Sequence, residues 1–248
     1  MGREIFSLQT ALHLWLEGAH AVRWRLDDSH VLWNRYMSIE LEELAKRPTH
    51  EGIEKIKNKY LDRLQQPHAT WSETSSAFSG FLSRYDEPRW EEMMAKSTKL
   101  AQAAKDIYAQ REYYEDKVKM AKKSGDAEQL KAAIAQYQDF ETRQAKTHNG
   151  IPQLLFAFYE RALLLMPTDT GLWEDYITAV NTFLSDPKNN PQDATNLLDL
   201  IDRSVKHCPW SGALWSRYII RAEIENLAFR HVEVIKHAAT SSGQLDRN

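Results

Sequence analysis

The single cysteine, Cys208, and the nine histidines are the side chains with most chemistry to offer, and their neighbours decide what they do. His13, Glu17 and His20 stand four and three residues apart, so a helix would gather all three on one face, as a metal ion requires. The Leu, Trp and Ala residues between them describe a packing helix instead, and no metal is expected. Cys208 directly precedes Pro209 with no partnered base in evidence, so it reads as a buried structural thiol and not a nucleophile. Walker, GxGxxG, HExxH and GxSxG patterns do not occur, and nine glycines in 248 residues leave little material for a phosphate cradle. The sequence therefore predicts a protein that is not an enzyme and uses no cofactor.

One stretch could contact a charged partner. Residues 96–123 carry eight Lys and Arg against four Asp and Glu, and the run ends in Lys117, Lys119, Lys122 and Lys123. Tyr113 and Tyr114 lie beside them and could stack on bases, although core packing is the simpler role for both. The functional reading of the run is contact with RNA or an acidic partner; the plainer one is a solvated helix face. The net charge of −3 lacks the basic excess of a dedicated nucleic-acid binder, which leaves local basic patches such as this one.

The elements that must position these residues are helices. Only 17 residues are Gly or Pro, about half the average share, which leaves few turns for a sandwich or barrel. With one cysteine, no glycosylation sequon and no apolar run near ~18 residues, a soluble, reducing, intracellular setting without membrane contact is expected. Eight tryptophans in an all-α chain suggest a repeated packing device. Trp33, Trp71, Trp173 and Trp215 open amphipathic stretches at intervals of 38, 102 and 42 residues. Ile134 divides the long gap, because Ile134-x-x-Tyr137-x-x-x-Glu141 matches Trp33-x-x-Tyr36-x-x-x-Glu40 position for position. Trp173-x-x-Tyr176 and Trp215-x-x-Tyr218 repeat the first half, and these spacings lie on one helical face.

The preceding segment recurs too. Phe158-Tyr159-Glu160-Arg161-Ala162-Leu163 precedes Pro167, Leu200-Ile201-Asp202-Arg203-Ser204-Val205 precedes Pro209, and Tyr60-Leu61-Asp62-Arg63-Leu64 precedes Pro67. Each proline should end a helix, and Ser29, Thr70, Thr170 and Ser211 stand where a side-chain oxygen could cap the next one. Helices are predicted over 5–25, 30–46, 51–66, 70–84, 88–123, 126–147, 151–165, 171–185, 192–207, 212–226 and 227–239. The segment 88–123 is either one long helix or two. Hairpins of ~35–40 residues cannot bury their apolar faces alone and must stack on neighbours. The Glu seven residues after the Trp position and the second-helix Arg are candidates for a recurrent ion pair, as with Glu141 and Arg161.

These motifs resemble the half-a-TPR (HAT) repeat, a family of helical-hairpin scaffolds of RNA-processing complexes. Two longer stretches, Cys208–Tyr218 and Trp71–Phe78, are similar to HAT arrays of U4/U6 snRNP-recycling factors, in which the array precedes RNA-recognition motifs. Thr74 stands where the motif has Tyr, Ile134 where it has Trp, and Val180 and Ala222 where it has Glu. The resemblance implies a TPR-like α-solenoid of five or six hairpins over 1–239, followed by a polar tail at 240–248. It further implies a nuclear scaffold for splicing or snRNP proteins in U4/U6 assembly and recycling, with RNA contact mainly through regions outside this chain. A direct RNA-binding array and a TPR-like chaperone or trafficking adaptor are the alternatives. Apolar surface in the last two helices suggests a homodimer through the C-terminal repeats. Trp15, Trp24, Trp90 and Trp210, outside the motif, are where an exposed interface aromatic should be sought.

Overall fold

A computed structural model describes residues 7–147 and 150–241, and every long element among them is a helix. The chain forms two compact units, 1–137 and 138–248, with the division inside one helix. The first contains α1 (Leu8–Ala21), α2 (Ser29–Lys46), α3 (His50–Leu64), α4 (Trp71–Tyr85), α5 (Trp90–Ser124) and the start of α6 (Ala127–Ala145). The second holds the rest of α6, α7 (Pro152–Leu165), α8 (Thr170–Ser185), α9 (Leu197–His207), α10 (Gly212–Ile224) and α11 (Phe229–Ser241). Residues 5–6 of the expected first helix, residues 148–149 and residues 242–248 of the expected tail lie outside the described residues, while Thr240 and Ser241, expected in the tail, belong to α11. Segment 88–123 is one helix of 35 residues after a short 3₁₀ turn at Glu87–Arg89. The helix expected from residue 192 starts only at Leu197, because a 3₁₀ turn at Pro191–Asp193 and extended backbone at Ala194 intervene.

Local chemistry sets the ends. Ser7, Thr49, Asp169, Asn196 and Ser211 each accept a backbone N–H of the first turn, satisfying a donor the helix leaves over. Of the four caps expected from sequence, Ser211 acts as one. Asp169 takes the place of Thr170, Ser29 is spent on an arginine, and Thr70 makes no capping bond. α5 stops at Gly125, whose φ of 72° is the left-handed conformation that closes a helix and that glycine adopts without strain.

In each unit, helices adjacent in sequence are adjacent in space: α1 with α2, α2 with α3, α3 with α4, and α7 through α11 in succession. α5 lies against both α3 and α4. The first core joins Tyr36, Met37, Ile56, Tyr60, Leu64, Phe78 and Leu82, with Trp33 and Trp71 packed on its margin. In the second unit Phe156, Tyr159, Trp173, Tyr176, Val180, Leu200 and Leu214 are buried, and Phe156 meets Phe183 edge-on. One buried cation ties elements together. Lys57, 2% exposed, reaches Glu54 and Asp86, both at 2.6 Å, and Arg89 closes the network on the same two acids. Burial alone would raise Asp86, but bonds from Lys57 and Arg89 outweigh it and hold the carboxyl below its usual range.

Candidate functional site

The repeated residues converge on a shared set of contacts. Trp173 Nε1 donates to the Pro167 carbonyl at 2.8 Å, and Trp215 Nε1 donates to the Pro209 carbonyl at 2.9 Å. The proline that ends one helix thus exposes its carbonyl to the indole opening the next, six residues on. The Arg203 guanidinium lies 5.5 Å from the Trp173 ring centre, and Arg63 lies 5.7 Å from that of Trp33. Both arginines stand thirty residues after their tryptophan. Tyr176 Oη donates to Glu160 Oε1 at 3.0 Å and Tyr218 Oη to Asp202 Oδ1 at 3.1 Å, each sixteen residues back. Glu160 also accepts both Arg203 amino groups, at 2.9 and 2.8 Å, which links α7 to α9. Tyr137, 1% exposed, donates to Glu115 at 2.6 Å. Ile134 and Glu141 are each 2% exposed, and Arg161 is half-buried.

In the first hairpin the acid–arginine pairing differs from the one the spacing suggested. Glu40 accepts from Tyr36 Oη at 2.6 Å and from Lys59, while Arg63 Nη2 donates to Ser29 Oγ at 2.9 Å. Arg63 sits one helical turn beyond Lys59, so Lys59 is level with Glu40 and Arg63 with Trp33. Burial would raise Glu40, yet the bonds from Lys59 and Tyr36 and the nearby ammonium charges bring it below its usual value. Arg203 pairs instead with Glu160, the acid of the preceding second helix. A search for the acid one repeat earlier, not for the motif glutamate, would have found it.

Trp71 departs from the pattern. Pro67 precedes it by four residues instead of six, and its indole N–H is buried without a hydrogen-bond partner, as is the Thr70 hydroxyl. Thr74, in the tyrosine's place, stands 3.0 Å from His68 Nε2, and His68 Nδ1 donates to the Gln66 carbonyl at 2.7 Å. Burial first, then the Arg63 charge, pushes His68 down to about 4, so the ring is neutral. Lys105 of α5 places its ammonium 4.2 Å from the Trp71 ring centre.

The residues singled out for chemistry are scattered. His13 and Glu17 are 3.3 Å apart and exposed, and His20 is exposed. Among the described residues no group of three or more His, Cys, Asp or Glu is placed to hold a metal ion. Cys208 is fully buried with Sγ 3.9 Å from the Pro167 carbonyl, and burial pushes its thiol up to about 11. In the basic run Lys117 donates to Gln136 at 2.9 Å and lies over Tyr113, whereas Lys119, Lys122 and Lys123 are exposed. Tyr114 stacks on Tyr137. Of the four tryptophans outside the motif, Trp90 is exposed, with Nε1 donating to Ser79 Oγ, and Trp15, Trp24 and Trp210 are half-buried. At the C-terminal end Ile220, Ile224, Phe229 and Val234 are all exposed by more than half.

Fold and contacts define the class: an all-α protein of helices packed in neighbouring pairs, joined by recurrent Trp–Pro, Tyr–acid and Trp–Arg contacts. Among the described residues no helix is long and apolar enough to cross a membrane. No protein-family model matches the chain. It is 29% identical over 110 residues to a mouse protein, spliceosome associated factor 3, U4/U6 recycling protein. The match covers 44% of this chain and only 10% of that relative.

Proposed function

We propose that the chain is a non-enzymatic, nuclear protein-binding scaffold built of HAT-type hairpins stacked as a TPR-like solenoid. Its role is in pre-mRNA splicing, through U4/U6 snRNP assembly and recycling. The observation that carries this reading is the match to a U4/U6 recycling protein, on a chain whose helices pack on their sequence neighbours. A rigid helical stack offers a long surface on which a few anchor residues supply most of the affinity. Capture from nuclear extract, with and without nuclease, tests it: snRNP proteins should be retained after nuclease. Chaperones or trafficking proteins in their place would favour a general adaptor.

The exposed Lys119, Lys122 and Lys123 support a second reading, direct RNA contact along α5. Reversing all three charges should then weaken RNA binding and flatten its salt dependence. Unchanged RNA and partner binding by that variant removes the reading.

A further inference from the structure

Beside Trp71 lies a groove of ≈ 380 Å³, bounded by the α3–α4 junction and the start of α4 on one side and by α5 on the other. Its α5 wall presents Lys105, Tyr108 and Ala109, then Glu112, residues three, four and seven positions apart and therefore on one face. The opposite wall presents Ala69, Trp71 and Ser72. The alanines leave room between the two charged ends, and the Trp71 ring carries the Lys105 ammonium at one of them. Lys105 makes no ion pair among the described residues, and its neighbour Asp106 is taken up by Gln102, whose Nε2 donates to it at 2.7 Å. The other end is acidic: burial first, then Glu112, Glu115, Asp116 and Asp27, raise the Tyr108 hydroxyl above its usual value.

We propose that this groove is a docking site for an extended peptide segment bearing an acidic and a basic residue three positions apart. Lys105 and Glu112 are seven helical residues apart, about 10 Å along the axis. A polyproline-II chain rises about 3.1 Å per residue and turns once in three, so residues three apart lie on one face, about 9 Å from each other. The acidic side chain meets the Lys105 ammonium on its aromatic shelf, and the basic one meets the Glu112 carboxylate. The volume takes a few side chains, not a folded domain. Nucleic acid fits poorly, because its phosphates would face Glu112 and Asp106. The inference deepens the scaffold reading and rests on it for the class of occupant.

The test is titration of the full chain with labelled eight-residue peptides rich in Pro and Ala, which favour the polyproline-II conformation. One carries Glu and Arg three positions apart, one carries two Glu, one two Arg, and one Glu and Arg adjacent. The first should bind at least about tenfold more tightly than the others, and Lys105→Glu should remove that advantage while improving binding of the two-Arg peptide. Lys105 is exposed, so unchanged helicity and Tm for this variant are expected. The Trp71 indole N–H resonance should shift on binding and be absent in Trp71→Phe. Equal binding of all four peptides, an unaltered ranking in Lys105→Glu, or displacement of the first peptide by an oligouridine overturns the proposal. Failure here, with snRNP proteins still captured from extract, would remove the groove and leave the scaffold reading standing.

Discussion

The bidentate contact between Glu160 and Arg203 should be worth about 1 kcal/mol, and a double-mutant cycle can measure it. Both carboxylate oxygens accept, at 2.9 and 2.8 Å, but the side chains are 35% and 42% exposed. Solvent at that exposure holds the pair near the top of the range of about 0.2–1 kcal/mol found for surface ion pairs, with fork geometry favouring the upper end. Glu160→Gln also weakens the bond from Tyr176, a hydrogen bond to a charged group, at about 1.5 kcal/mol. Arg203→Gln also loses the guanidinium over Trp173, about 0.5–1 kcal/mol. Each single substitution should therefore cost about 1.5–2.5 kcal/mol, and the double variant about 1 kcal/mol less than their sum. Amide hydrogen exchange in α8 and α9 is the assay, because a two-unit chain need not unfold in one step. A coupling below about 0.3 kcal/mol, or one undiminished in high salt, would refute the argument that this pair stitches α7 to α9.

His68 is neutral and buried when folded and ordinary when unfolded, so the unfolded chain binds the extra proton between about pH 6.5 and pH 4. Stability should be fully present above the unfolded value and fall as pH drops through that window, by on the order of 2–3 kcal/mol; His68→Gln should flatten the profile in urea titrations, and an unchanged profile would show that other groups set it. The Cys208 thiol, pushed up to about 11 and buried, should resist an aromatic disulfide reagent at neutral pH and react in concentrated guanidinium; rapid labelling of the native protein would contradict its burial. The homodimer expected from the sequence would bury Ile220, Ile224, Phe229 and Val234, the exposed apolar side chains of α10 and α11. Sedimentation should show a dimer at high micromolar concentration that Phe229→Ser and Ile224→Ser weaken, and a clean monomer mass for the natural sequence would sink the idea.

Much of the helical layout was legible because its signals are local. Prolines after Leu64, Leu165 and His207 and the serine before Gly212 act through their own backbone neighbours, so the ends they mark lie within a few residues of expectation. The late start of α9 was harder to read, since Pro191 and Asp193 are compatible with a first helical turn and fold as a 3₁₀ turn instead. The groove beside Trp71 left no signal of its own. Lys105 looked like one member of a basic run, and only the packing of α4 on α5 sets its ammonium over an indole.

Composition and period by themselves determined that this chain is helical, that aromatic residues recur at hairpin spacing, and that the first, fourth and eighth positions of each motif share a face. Those are properties of 3.6 residues per turn, and they hold whatever the helix packs against. Only the tertiary structure decided who meets whom: Glu40 with Lys59, Glu160 with an arginine 43 residues away, Lys105 with Trp71. Such pairings depend on how helices cross and how far one slides along another. A slip of one turn moves each contact by 5.4 Å, beyond the reach of a hydrogen bond, and only packing fixes that slip.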